Sequence, residues 1–368
     1  MKGTHMNFRT EISYEVEKKI WDETLLLNKN STAFQISDFF RPHQQAFNSK
    51  PIFITISNSS GKIVGQLSGV IQFTDYWLEP NIISRLISSK LDLGSTLRWF
   101  YGPIIHDTEN TAEILSNILL ALDKVAIQNN VNLIKGSVPP QISQLPVNIF
   151  KKNGYAIEPW ITYITNLQRN VDDIYNALHK ETRYDIRKGE KKGLKFEVVS
   201  KKESYDRYLD IKYHEKKKVQ KIKKLNKIFA KYCWETSYQK GHEKMFLARF
   251  EGEPIAAIVN VLFNGNVVQM RVGNSPVRNL HGGSFLIWNT IRWSAEMNYG
   301  SYDVGGANPS PISQKEKGIN LFKSKWASEK LDYFYCTKIF NKTKLNISKI
   351  IKGPKVIKRK INKIFTKN

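Results

Sequence analysis

Three β-rich runs, Lys244 to Phe250, Pro254 to Leu262 and Val267 to Val272, are separated by turns of only a few residues. Glu251-Gly252-Glu253 divides the first two and Asn264-Gly265-Asn266 the last two. An Asn-Gly pair readily supplies the positive-φ positions of a tight hairpin, so these runs are expected to fold back on one another as an antiparallel meander. Helices are expected at 171–192, 202–216, 219–239 and 283–298, a short strand at 195–199, and later strands at 302–304 and 331–339. The first half repeats the order. A helical segment at 17–29 and an aromatic-rich helix or turn segment at 32–48 precede strands at 51–56 and 63–73, paired across Asn58-Ser59-Ser60-Gly61. An extended run at 97–101 stops at Gly102-Pro103, and a helix at 109–130 leads to strands at 133–138 and 154–167. The expected fold class is α+β: two similar units, each a mixed, largely antiparallel sheet flanked by helices. The expected boundaries are 7–168, 169–340 and a tail at 341–368.

A chain of 368 residues exceeds the usual size of one domain, and its 41% hydrophobic content can fill two cores. It has no run of 18 apolar residues and no charged start followed by an apolar block, so neither a membrane span nor a signal peptide is expected. Cys233 and Cys336 lie in separate segments and form no CxxC motif, which suggests reduced thiols in a cytoplasmic protein, with a disulfide between them as the alternative. The seven histidines show no metal-ligand spacing, so no metal site is expected.

The net charge of +24 attracts polyanions: RNA, phosphorylated precursors or an anionic membrane. It is concentrated. Residues 206–231 hold ten Lys or Arg against three acids, and residues 341–368 hold ten with none. In that tail Ile357, Ile361, Ile364 and Phe365 fall near one helical face, as in a segment lying on a membrane. A solvated or self-packed tail is the alternative.

Tyr302-Asp303-Val304-Gly305-Gly306 reads as a strand ending in an acid and a glycine turn, and Gly318-Ile319-Asn320-Leu321-Phe322-Lys323 as a short helix ending in a lysine. A carboxylate, a close backbone approach and an ammonium could then meet in one cleft, suiting transfer chemistry on a carbonyl or anionic substrate. The plainer alternatives are a turn-capping Asp303 and a surface Lys323. Arg183 and Arg187 share a helical face and, with Lys188 and Arg271, are candidate phosphate ligands or simply solvated charge.

These segments, with His179 to Lys188 and Ala248 to Ala257, together resemble the peptidoglycan bridge-forming aminoacyltransferases, the Fem family, over residues 175–338. Phe34-Gln35 and Tyr101-Gly102-Pro103 extend the resemblance into the first half. It implies tandem acetyltransferase-like (GNAT) domains that move an amino acid from aminoacyl-tRNA to an amine of a phosphorylated or lipid-linked cell-envelope precursor, with no required cofactor. By the same resemblance Lys323 would stabilise the developing oxyanion, with Asp303 beside it. Arg183, Arg187, Lys188, Arg271, Tyr101, Tyr302, Gly305 and Gly306 would bind substrate. A monomer in the cytoplasm is expected, with peripheral contact at the inner membrane face through the tail. Two alternatives stay open. One is an acyl-CoA-dependent N-acyltransferase, with coenzyme A phosphates near Arg278, His281, Gly282 and Gly283. The other is a non-catalytic RNA- or membrane-binding protein on the same scaffold.

Overall fold

The computed structural model describes residues 8–72, 95–140, 147–206, 228–274, 280–326 and 329–351. Arg278, most of the helices expected at 202–239 and the tail beyond 351 lie outside the described residues.

Thirteen strands form one sheet among these residues. In chain order they are β1 Arg9–Ser13, β2 Lys50–Ser57, β3 Ile63–Gln72, β4 Thr96–Arg98, β5 Ile104–Ile105, β6 Leu133–Ser137 and β7 Ala156–Asn166. The second half adds β8 Lys195–Val198, β9 Glu243–Phe250, β10 Glu253–Phe263, β11 Asn266–Asn274, β12 Ser301–Asp303 and β13 Glu329–Ile339. Their order in space is β1-β2-β3-β4-β6-β13-β7-β12-β11-β10-β9-β8, with β5 paired to β3. Pairing is antiparallel except for β4 with β6 and β11 with β12. The result is an α+β fold with a mixed sheet.

The meander turns as its glycines require. Glu251 and Gly252 have φ of 51° and 83°, and Asn264 and Gly265 have φ of 49° and 75°. Read inward from either edge, the sheet follows one scheme: antiparallel pairings, one parallel pair, then a strand from the other half of the chain. β7, expected to close the first half, pairs with β12; β13, from the far end of the chain, pairs with β6. The two also pair with each other, from Glu329 opposite Ile164 to Thr337 opposite Ala156. This exchange fuses the two halves at the centre of the sheet.

Helices cover the sheet by their apolar stripes. Thr111–Gln128 buries Ile114, Leu115, Ile118, Leu122 and Val125 at helical spacing. Gly282–Glu296 does the same for the second half through Phe285, Leu286, Trp288 and Ile291. The helix expected at 171–192 is two helices, Val171–Ala177 and Lys180–Lys191. Leu178 is extended between them and the His179 side chain caps the second at the Glu181 amide.

Candidate active site

The carboxyl ends of β4, β6 and β12 open into a cavity of about 390 Å³ at the seam between the halves. Phe34, Phe39, Phe100 and Phe229 give it aromatic walls; Arg98, Arg271, Glu243 and His43 give it charge and polarity. Gly305 and Gly306 form part of its surface, with Tyr101, Tyr333 and Tyr335 beside them.

Asp303 ends β12 and is 2% exposed. Its Oδ2 accepts from the Tyr101 hydroxyl at 2.9 Å. Its Oδ1 accepts from the Gly305 amide at 2.7 Å and from the Thr162 hydroxyl of β7. Burial raises the carboxyl pKa, while these three donors and the nearby Lys323 charge pull it down. Tyr101 reaches Asp303 because its backbone is held at a φ of 44°. Its amide donates to Ser137 Oγ, and the Gln35 amide donates to Phe100 O at 2.6 Å. The Trp99 indole lies where a Cβ on Gly136 would fall and donates to Gly102 O at 3.0 Å. Burial, then the Asp303 charge, raises the Tyr101 pKa, so this hydroxyl stays a donor.

Lys323 closes the helix Gln314–Lys323, which begins with a Ser313/Glu316 capping box. Its Nζ donates to Gly305 O and Gly306 O, each at 2.9 Å. Burial lowers its pKa and the Asp303 charge partly restores it. Both glycines are forced by close approach. A Cβ on Gly306 would fall 2.1 Å from Tyr333 Oη and 2.3 Å from Trp160 Nε1. Gly305 has a φ of 81°, and a Cβ there would come within 3.3 Å of Lys323 Nζ, over the ammonium.

The structure thus brings together Asp303, Lys323, Tyr101, Gly305 and Gly306. Of these, Tyr101, Gly305 and Gly306 line the cavity, whereas Asp303 and Lys323 do not and instead hold the glycine turn. Arg271 lines the cavity, but its Nη2 is bound to buried Glu243 at 2.7 Å and its guanidinium lies 5.8 Å from the Phe229 ring centroid. Tyr302 sits beneath, its hydroxyl donating to Gln269 Oε1 at 3.1 Å. Arg183, Arg187 and Lys188 do not line the cavity. Arg183 caps the preceding helix through Asn176 O and Leu178 O, Arg187 is exposed, and Lys188 Nζ is 5.4 Å from the Tyr184 ring centroid. Thr162, Tyr333, Arg98, His43, Phe229 and Glu243 carried no sequence signal, since they come from separate segments with no fixed spacing.

His43 is buried against Phe229, ring centroids 4.8 Å apart, and its Nδ1 makes no hydrogen bond. Burial, followed by the charges of Arg271 and Arg98, pushes its pKa down to about 3 from 6.5. An unfolded chain therefore takes up a proton at this residue that the fold refuses. The stability it contributes is full above pH 6.5 and is lost as pH falls toward 3. Urea unfolding should show a loss of about 2–3 kcal/mol from this group between roughly pH 6.5 and 4.5. A His43→Phe chain should show a correspondingly shallower slope; an unchanged slope would mean that His43 takes up its proton as readily in the fold as in the unfolded chain.

Residues 177–311 match the family model of the acetyltransferase (GNAT) domain. The fold is similar to that of FemX, with a TM-score of 0.65 at 12% identity, covering 93% of this chain and 100% of that one. A tandem GNAT protein from the clavulanic acid biosynthesis pathway gives 0.53 at 10% identity, covering 90% and 98%. The C-terminal domain of a putative lysylphosphatidylglycerol synthetase from Agrobacterium fabrum gives 0.51 at 12%, covering 90% and 94%. No curated protein matches the chain in sequence. The chain thus contains a GNAT-fold acyltransferase domain in a fold shared with FemX. Among the described residues, no helix is long and apolar enough to cross a membrane, and no group of three or more His, Cys, Asp or Glu is placed to hold a metal ion.

Proposed function

We propose that this chain is an amide-forming aminoacyltransferase with two acetyltransferase-like halves, 7–168 and 169–340. It takes an amino acid from the ester of a charged tRNA and places it on an amine of a phosphorylated or lipid-linked envelope precursor. Lys323 carries this assignment: its ammonium is anchored by the carbonyls of Gly305 and Gly306, which line the cavity in front of it, although Lys323 itself does not line it. The acceptor nitrogen attacks the ester carbonyl, the N–C bond forms and the C–O bond to the ribose breaks. One proton passes from the amine to the departing ribose oxygen. The remaining Lys323 N–H stabilises the oxyanion of the tetrahedral intermediate, and Asp303 holds the glycine turn and keeps Lys323 charged.

Two observations favour direct attack on a tRNA ester. Cys233 faces the cavity, yet burial pushes its thiol up to about 12, which makes it a poor nucleophile. In ordinary acetyltransferase-like domains the start of the helix equivalent to Gly282–Glu296 receives coenzyme A phosphates. Here the chain's own Asp185 carboxylate occupies that end, 3.0 Å from His281 Nδ1 and 3.5 Å from Ser284 Oγ.

The purified chain, incubated with a charged-tRNA pool, acyl-CoAs and envelope precursors, should add an amino-acid mass to a precursor only when charged tRNA is present. A mass gain that depends on acyl-CoA would replace the donor in this mechanism.

A further inference from the structure

The helix that carries Lys323 is inverted relative to an ordinary surface helix, which turns its apolar stripe inward. None of its residues is buried. Its inner side is held by polar contacts: Asn320 Nδ2 donates to Asn308 O at 3.0 Å, the Tyr163 hydroxyl donates to Asn320 Oδ1 at 3.2 Å, and Lys323 bonds the glycine turn. Its apolar side chains are partly in solvent, with Phe322 also packing edge-on against the buried Trp326, ring centroids 5.7 Å apart. Ile319, Leu321 and Phe322 are 41%, 60% and 40% exposed, and Ile312, just before the helix, is 55% exposed. At 100° per residue Leu321, Gly318, Phe322 and Ile319 fall on the side opposite Asn320; Gln314 and Lys315 lie within the same arc, and Lys323 borders it beside Ile319. Residues 313–326 hold four lysines and one glutamate, and that Glu316 is bound in the capping box. Lys325 reaches Glu181 on the helix Lys180–Lys191, where Tyr184, one turn on, is 56% exposed among Lys180, Arg187 and Lys188.

We propose that this face is a docking surface for an anionic phospholipid bilayer. Exposed apolar side chains interspersed with Lys315 and bordered by Lys317 match acyl chains below and phosphate headgroups around them. The chemistry disfavours the other occupants. RNA phosphates gain nothing from exposed Ile and Leu, and protein interface cores are depleted of lysine. The surface lies outside the basic tail, and it also gives the exposed Arg187 a role that the cavity does not. It presupposes nothing about catalysis.

The test is flotation of the full chain with vesicles of phosphatidylcholine alone, or of phosphatidylcholine with phosphatidylglycerol, at low and at physiological salt. The chain should float with the anionic vesicles. An Ile312→Ser/Ile319→Ser/Leu321→Ser variant should lose affinity roughly ten- to hundredfold. These side chains are exposed, so the variant should keep its thermal melting, checked alongside. Lys315→Glu/Lys317→Glu should lose the anionic preference. No flotation of the parent chain with anionic vesicles overturns the proposal. So does full retention by the triple variant, whether or not neutralising the lysines of 352–368 abolishes binding. Lys323→Ala should float normally, so loss of catalysis and loss of docking are read apart.

Discussion

Replacing Lys323 by alanine should lower kcat for amide formation by roughly two to three orders of magnitude. It should cost only about 1 kcal/mol of stability, because the two freed carbonyls border a cleft that water can enter. An interaction made only as the oxyanion develops affects kcat and kcat/KM equally and leaves KM alone, and that pattern separates transition-state stabilisation from substrate binding. Arginine is no substitute. Its planar fork cannot reproduce an ammonium that bonds two successive carbonyls at 2.9 Å and keeps a third N–H for substrate. The pH profile gives a second readout. Burial lowers the lysine pKa, so activity that needs the ammonium should decline on the alkaline side before the ordinary lysine value of 10.5 is reached. Wild-type turnover within threefold in Lys323→Ala, with melting unchanged, would remove the lysine from the mechanism.

Lys323 and the glycine turn were legible because their geometry is local: a strand end, a turn, and a helix whose last residue lies 17 or 18 positions beyond the glycines it binds. The meander was legible for the same reason, since its turns are written in Asn-Gly and Glu-Gly pairs. Strand exchange was not. β7 and β13 are runs of 11 residues that pair with strands on both sides, and neither encodes which neighbours it takes. Arg183 and Arg187 were placed on one helical face by spacing, yet spacing cannot show that Arg183 is consumed by two carbonyls of the preceding helix. The cavity walls are the least legible part. His43, Arg98, Phe229 and Glu243 converge from both halves of the chain, and only the packing of those halves makes them neighbours.

Asp303 should separate bracing from chemistry. Asp303→Ala removes the acceptor of three buried donors, the Tyr101 and Thr162 hydroxyls and the Gly305 amide, at a cost of about 3–5 kcal/mol. Turnover should vanish with the fold of the turn, so that variant alone decides little. Asp303→Asn is the informative change. Its carbonyl oxygen still serves Thr162 and Gly305, and the Tyr101 hydroxyl can rotate to accept from the new amide. Stability should fall by about 1–2 kcal/mol, while the charge facing Lys323 is gone and kcat should drop roughly ten- to hundredfold. The pH dependence has a definite sign. The folded-state pKa of Asp303 is raised above the unfolded value near 3.8, so the stability that this carboxyl contributes is full below that value and declines as pH rises through the folded one. Asparagine does not titrate, so its stability deficit, measured by urea midpoints, should narrow as pH rises from about 4 toward neutrality. A deficit that widens over that range would mean that the three donors outweigh burial and that the native carboxylate pKa lies below the unfolded one. Full turnover in Asp303→Asn would confine Asp303 to holding the turn and leave the charge of Lys323 to the glycine carbonyls alone.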